Sequence, residues 1–339
     1  MTISPSEFSH QLRWLKAHRL LGVSDLLCLR GYIHPNVNAI AQKLVANERV
    51  VSGQILEEED RVFSSGLANF QILALKGVRL AYSVYPDATS RPRSDIDLLV
   101  APDSLAPARS ELAKLGYRPL RRTLGGTPGE QEAWLLDSPS GPHLIDLHWK
   151  LRNHPCLRDR LSFDEQWSSA IPLPRLGQKA RGQSAGHALL NACMHWFDTI
   201  NPQRYPLLWL LDKDLLWRDM TESEHLDVLQ LAGDRGLGGL LAESLRLTRK
   251  AFGTPIDQDV IEALDRSGRG RTPTRLINAR KHRFRAFCFT ISSEPGLRGK
   301  LWRLRQSIFP PPEYMRMRFP DGSRLGLAGL YWRRIRRRL

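Results

Sequence analysis

Residues 70–100 read FQILALKGVRLAYSVYPDATSRPRSDIDLLV, and the order of elements in that stretch decides the fold. A short apolar run, Ile72 to Leu75, ends at Lys76-Gly77, and a helix-like segment, Val78 to Tyr85, follows. A turn holding Arg91, Pro92 and Arg93 then leads into Ser94-Asp95-Ile96-Asp97-Leu98-Leu99-Val100. Side chains alternate across a strand, so Asp95 and Asp97 point to one face and Ile96 and Leu98 to the other. Two carboxylates at i and i+2, opening an otherwise apolar strand, repel each other and are costly unless something compensates them. A divalent cation does so, and Mg²⁺ prefers one or two carboxylates together with substrate phosphates. Gly77 lets the backbone approach a phosphate, the following helix offers free N–H groups, and Lys76 adds a point charge.

Further along, His143-Leu144-Ile145-Asp146-Leu147-His148-Trp149 alternates in the same way and puts Asp146 and His148 on one face. The strand-Lys-Gly-helix unit, the Asp-Ile-Asp-Leu-Leu-Val strand and the later Ile-Asp-Leu-His-Trp strand resemble the nucleotidyltransferase family proteins of the polymerase-beta-like nucleotidyltransferase superfamily. In that superfamily a Gly-Ser or Gly-Gly turn precedes an Asp-x-Asp pair, and a third acid lies on a neighbouring strand. Here Lys76-Gly77 stands at the turn, which fits the particular family better than the wider superfamily. The resemblance is close over residues 65–150 and weaker over 185–216, where Trp209-Leu210-Leu211-Asp212 is similar to a Trp-Leu-x-Asp helix of the family.

The resemblance implies an α+β fold: a small mixed sheet as nucleotidyltransferase core, flanked by N-terminal and C-terminal helical regions. It implies a Mg²⁺-dependent enzyme that moves a nucleoside monophosphate from an NTP to an acceptor and releases pyrophosphate. Asp95, Asp97 and Asp146 are then the catalytic, metal-holding acids, with two Mg²⁺ ions, and Lys76 and Gly77 position the β- and γ-phosphates. Arg91 and Arg93 either contact nucleotide phosphates as planar donors or neutralise Asp95 and Asp97. His148 orients a metal-bound carboxylate or a phosphate, or is a histidine packed at a strand end. Without metal, three close carboxylates repel, so at least one is expected to have a raised pKa. The acceptor (small molecule, peptide, protein or nucleic acid) and the base of the NTP stay open. An alternative from another class is a non-catalytic nucleotide- or nucleic-acid-binding module on the same fold. Three acids argue against it, because a pure binder has no need of them.

At 339 residues the chain exceeds one typical domain. The expected regions are a helical one at 1–60, the α/β core at 61–152, a helical domain at 153–298 and a basic tail at 299–339. A formal charge of +15 favours a polyanionic partner such as a nucleotide, a nucleic acid or an anionic membrane. Cys28, Cys156, Cys193 and Cys288 lie far apart without zinc-type pairing and read as reduced thiols. The N-terminus lacks a signal pattern and no run of 18 apolar residues occurs, so a soluble, cytoplasmic protein is expected.

In chain order, residues 1–60 carry apolar residues at helical spacing, and His10, His18 and His34 have no partner at ligand spacing. Glu57-Glu58-Glu59-Asp60 suits a helix N-terminus, with the helix running to about Asn69. Leu105, Ala108, Leu112 and Leu115 give one helix face closed by Gly116. Two strands, at 117–122 and 131–137, are joined by the Gly-rich loop Leu124 to Gly129, read as a hairpin connection. His187, Asn191 and His195 recur at i, i+4 and i+8 and are read as interior polar residues facing the cleft, because no acid accompanies them. Asp212 caps, pairs or faces the nucleotide. Residues 300–339 hold eleven Lys or Arg against two acids, which makes either a solvated face or a contact for nucleic acid or anionic membrane.

Overall fold

The computed structural model describes residues 3–120, 130–139, 141–198, 207–279, 282–310, 312, 315–316, 319 and 326–336. The chain opens with helices α1 (Pro5–Ala17), α2 (Ser24–Leu29) and the long α3 (Pro35–Phe63). Ser4 caps α1 in a reciprocal box with Glu7. His34 caps α3 ahead of Pro35, whose missing N–H costs nothing at a first helical position.

The acidic run corrects one expectation. Glu57 to Asp60 lie in the last turns of α3 and do not start a helix that runs to Asn69. Acids there oppose the helix dipole, but two of them have specific partners. Glu58 accepts from Arg61 and Tyr117, and Glu59 accepts from Arg93 and Tyr82. Ser65 caps a separate 3₁₀ turn, Gly66–Asn69.

Strand β1 (Ile72–Ala74), helix α4 (Lys76–Ala81), strand β2 (Ile96–Val100) and helix α5 (Leu105–Lys114) come next. Gly116 ends α5 with φ +86°, a conformation that favours glycine. Strands β3 (Arg118–Leu120), β4 (Gln131–Ser138) and β5 (Gly141–His148) follow; the Leu124 to Gly129 loop lies outside the described residues. After α6 (Phe163–Ser168), the short strands β6 (Ile171–Pro172) and β7 (Arg181–Gly182) complete a seven-stranded sheet of order β3-β4-β5-β2-β1-β7-β6. The pairs β2–β5 and β1–β7 are parallel and the other four antiparallel, so the fold is α+β with a mixed sheet. Two-residue strands such as Ile-Pro and Arg-Gly carry no readable alternation, which is why the sequence does not announce β6 and β7.

Alternation along the central strands divides the core. Ile72, Ala74, Ile96, Leu98, Val100, Ile145 and Leu147 pack with Val62, Ala108 and Leu112 on one face. Leu73, Leu75 and Leu99 pack on the other with Leu189, Leu211 and Leu241. These last three come from α7 (Ala185–Asp198), α8 (Leu207–Asp219) and α10 (Gly238–Phe252), which form a second layer with α9 (Glu222–Asp234) and α11 (Gln258–Gly268). Helices α12 (Thr272–Ala279), α13 (Arg283–Ser292), α14 (Gly296–Ile308) and a C-terminal helix, Leu327–Arg336, follow. Among the described residues no helix is long and apolar enough to cross a membrane.

Candidate active site

Strands β2 and β5 pair in parallel with Asp97 opposite Asp146 and Leu99 opposite His148. Since Ile96, Leu98, Ile145 and Leu147 all enter one apolar cluster, alternation turns Asp97, Asp146 and His148 to the other face, toward the α7–α8 layer. One oxygen of Asp97, Oδ1, takes two hydrogen bonds: from the Lys76 ammonium at 2.5 Å and from His148 Nε2 at 2.9 Å. Gln131 Nε2 donates to Asp146 Oδ2 across 3.3 Å.

Lys76 reaches Asp97 because β1 ends just before it and the Leu75 amide is bonded to the Asp97 carbonyl at 3.0 Å. Its own backbone sits at φ +46°, the left-handed region. A residue with a Cβ costs roughly 1–2 kcal/mol there, so the ion pair holds the chain in a conformation glycine would accept freely.

The electrostatics follow from burial and this pair. Burial alone would raise the Asp97 pKa, but the Lys76 charge and the His148 bond outweigh it and hold the carboxyl well below the usual range. Asp95 is raised, by burial first and then by the Asp97 charge, against a smaller opposing effect of Lys76. The expected repulsion among the acids thus falls on Asp95. Burial, and then the Lys76 charge, push His148 down to about 4 despite Asp97. It is neutral at pH 7, so its Nε2–H donates to the carboxylate and Nδ1 keeps a lone pair. That Nδ1 is buried without a hydrogen-bond partner.

The hydrogen bonds of Arg91 and Arg93 go to protein groups other than Asp95 and Asp97, although the Asp95 charge also acts on Arg91. Arg91 donates from Nε and Nη2 to Asp212, both at 2.8 Å, and from Nη1 to the Pro92 carbonyl. Arg93 donates from Nε and Nη2 to Glu59, both at 2.5 Å, and from Nη1 to the carbonyls of Ala88 and Arg91. Every guanidinium nitrogen of both already has a protein acceptor. Tyr85 completes the first cluster with a bond to Asp212 at 2.8 Å, so of the roles open to Asp212 the structure has it pairing. Gly77 lies beneath these clamps: a Cβ there would meet the Arg93 Cβ at 3.3 Å. The close approach that requires a small residue at 77 is made by Arg93.

The α7 histidines do not form a common site. Ser184 and Ser169 bond His187, Asn191 donates to Gln183, and His195 Nδ1 faces Arg152 Nη1 at 2.8 Å. Arg152 is a residue that sequence patterning misses. It is 5% exposed, its Nε has no hydrogen-bond partner, and among the described residues no carboxylate forms an ion pair with it. Its segment, Trp149-Lys150-Leu151-Arg152, carries no periodic signal; the only pointer is its closeness to the β5 acid. Lys213 on α8 is a second buried cation, held by Ser244 at 3.3 Å and by the Trp196 ring at 4.2 Å, and burial lowers it to about 8.

The donor set suits a divalent cation. Asp97, Asp146 and His148 each bring a ligand atom within 4.8 Å of the others. Asp95 lies outside this group, one residue before β2. Oxygen donors fit a hard ion such as Mg²⁺, whereas His148 already spends Nε2 on Asp97, the usual way an outer group orients a carboxylate ligand.

Comparison with protein families adds an independent finding. The model of a family described as uncharacterised nucleotidyltransferase matches residues 6–253. Comparison with curated proteins and with solved structures found no match.

Proposed function

The chain belongs to the uncharacterised nucleotidyltransferase family, and from that premise we propose that it transfers a nucleoside monophosphate from an NTP to an acceptor, with Mg²⁺ and release of pyrophosphate. The observation that carries this reading is the Asp97–Asp146 register across β2 and β5, with Lys76 and His148 both bonded to Asp97. Asp95, Asp97 and Asp146 would hold two ions. Held there, such ions would supply charge stabilisation for the transferred phosphoryl group.

The chain's own residues set the rest. His148 fixes the Asp97 carboxylate through Nε2–H, while the Lys76 charge and then this bond keep it ionised. Lys76, with its side chain 20% exposed, is the cation available to the β- and γ-phosphates. Its neighbour Gly77 keeps the turn narrow enough for Arg93 to brace it. Arg152 is buried with no ion-pair carboxylate among the described residues, the Asp198 and Asp97 charges acting on it only from further off, which supports its use on an anionic group of a substrate.

Thermal unfolding with Mg²⁺ and each NTP tests the assignment. A ligand at about 100 times its Kd stabilises by roughly 2.7 kcal/mol. The wild type should gain on that order with Mg²⁺ and NTP together, and Asp146→Asn should not. An Asp146→Asn variant that gains as much as wild type would remove Asp146 from the site.

A further inference from the structure

Beyond the 6–253 match lies a surface with a different character. Helix α14 contains Arg298, Lys300, Arg303 and Arg305 and no acid. Its inner side is fixed: Arg303 donates to Glu294 at 2.5 Å, and Arg158 holds the same glutamate at 3.1 Å. Its outer side is apolar where solvent would favour polar residues. Leu297 is 73% exposed, Leu301 57% and Phe309 55%, at i, i+4 and i+12, and Arg298 and Arg305 are exposed beside them. The C-terminal helix joins this end of α14, with Arg334 donating to the Ser307 carbonyl and the Tyr331 ring edge-on to Phe309 at 5.6 Å. It adds Trp332, 64% exposed, with Arg333 and Arg336 near it in sequence.

We propose that α14 and the C-terminal helix form a docking surface for an anionic phospholipid bilayer, on which the protein lies without crossing it. The chemistry selects this occupant over others. A second copy would bring the same cations to the interface, in a chain of charge +15. A nucleic acid would take the arginines but gain little from Leu297 and Leu301. An anionic membrane uses both, since leucine and tryptophan enter the acyl boundary while arginine and lysine stay with the phosphates. Arg298, Lys300 and Arg305 on α14, with Arg333 and Arg336 of the last helix, supply the electrostatic part.

Vesicle co-sedimentation of the full chain decides it. The wild type should sediment with mixed phosphatidylcholine–phosphatidylglycerol vesicles and not with pure phosphatidylcholine. Leu297→Glu with Leu301→Glu, both at exposed positions, should keep the melting temperature and weaken vesicle binding by about tenfold or more. Retention of wild-type vesicle binding by that double variant would overturn the proposal. So would binding to an RNA oligonucleotide without binding to either vesicle, or a dimer in solution that the double variant dissolves.

Discussion

Beside Gly77 the chain buries two arginines whose every guanidinium nitrogen has an acceptor, while on the acid face it buries His148 with an unbonded Nδ1 and Arg152 with an unbonded Nε. Both clusters take charge out of water; the first satisfies every guanidinium nitrogen within the protein, whereas the second pairs Asp97 with Lys76 but leaves His148 Nδ1 and Arg152 Nε without partners. Arg91 and Arg93 tie the turn to α8 and α3 through Asp212 and Glu59, and a fully satisfied network of this kind holds one geometry. The acid face has donors and acceptors without counterparts, as a site keeps them for something that arrives. The clamps position the turn; the acid face is the one we propose for the ligand.

That contrast is tested most severely by removing one arginine from each cluster. Arg93→Met strands Glu59 as a buried charge and should cost about 3–5 kcal/mol in urea denaturation. Arg152→Met removes a cation with no ion-pair carboxylate among the described residues, so its cost should be confined mainly to the lost His195 hydrogen bond, about 1 kcal/mol. Equal losses from the two would erase the distinction.

Within the acid face, Asp97 and Asp95 should respond in opposite ways. A carboxyl whose folded pKa is depressed stabilises the protein above its unfolded pKa and loses that contribution as pH falls through the folded value. This is the case of Asp97, and Asp97→Asn should cost roughly 2 kcal/mol at pH 7, since it weakens two bonds to one oxygen. For Asp95 the folded pKa is raised, so its contribution is unfavourable above that value and vanishes below the unfolded one. Asp95→Asn should then match or exceed the wild-type stability at pH 7 in metal-free buffer and lose the advantage on acidification. The comparison breaks if both variants lose stability alike.

A smaller effect isolates the backbone at Lys76. Both Lys76→Gly and Lys76→Ala remove the ion pair, but only glycine relaxes φ +46°. Lys76→Gly should be the more stable of the two by about 1 kcal/mol, the reverse of their order in a helix interior. Were alanine the better tolerated, the strain at 76 would not be stored there.

Much of the acid face was legible because it rests on local alternation. Asp-Ile-Asp-Leu-Leu-Val and Ile-Asp-Leu-His-Trp each put their acids on the face opposite the branched apolar residues, and two such strands have few ways to pair. The arginine clamps were not legible, for their partners stand 34 and 121 residues away and nothing local selects them. The acidic run at 57–60 looked like a helix start because the dipole rule is local, whereas Tyr117, Arg93 and Tyr82 supply a tertiary compensation, joined by Arg61 three residues on along the same helix. His148 was placed on the right face, but its tautomer depends on a neutral ring set by burial and Lys76. Arg152 was missed, since burial of a cation without an ion pair among the described residues is visible only once the carboxylates around it are located.

The central claim is that the Asp97–Asp146 face transfers nucleotides. Its most direct test supplies each NTP labelled at the α-phosphate, with Mg²⁺, to the wild type and to Asp146→Asn in the presence of cell extract as a source of acceptor. The account predicts label on an acceptor with the wild type and a fall of several powers of ten, on the order of the transition-state stabilisation metal clamps provide, with the variant. Wild-type protein that is stabilised by Mg²⁺ and NTP yet labels no acceptor would contradict it and leave a nucleotide-binding protein without transfer.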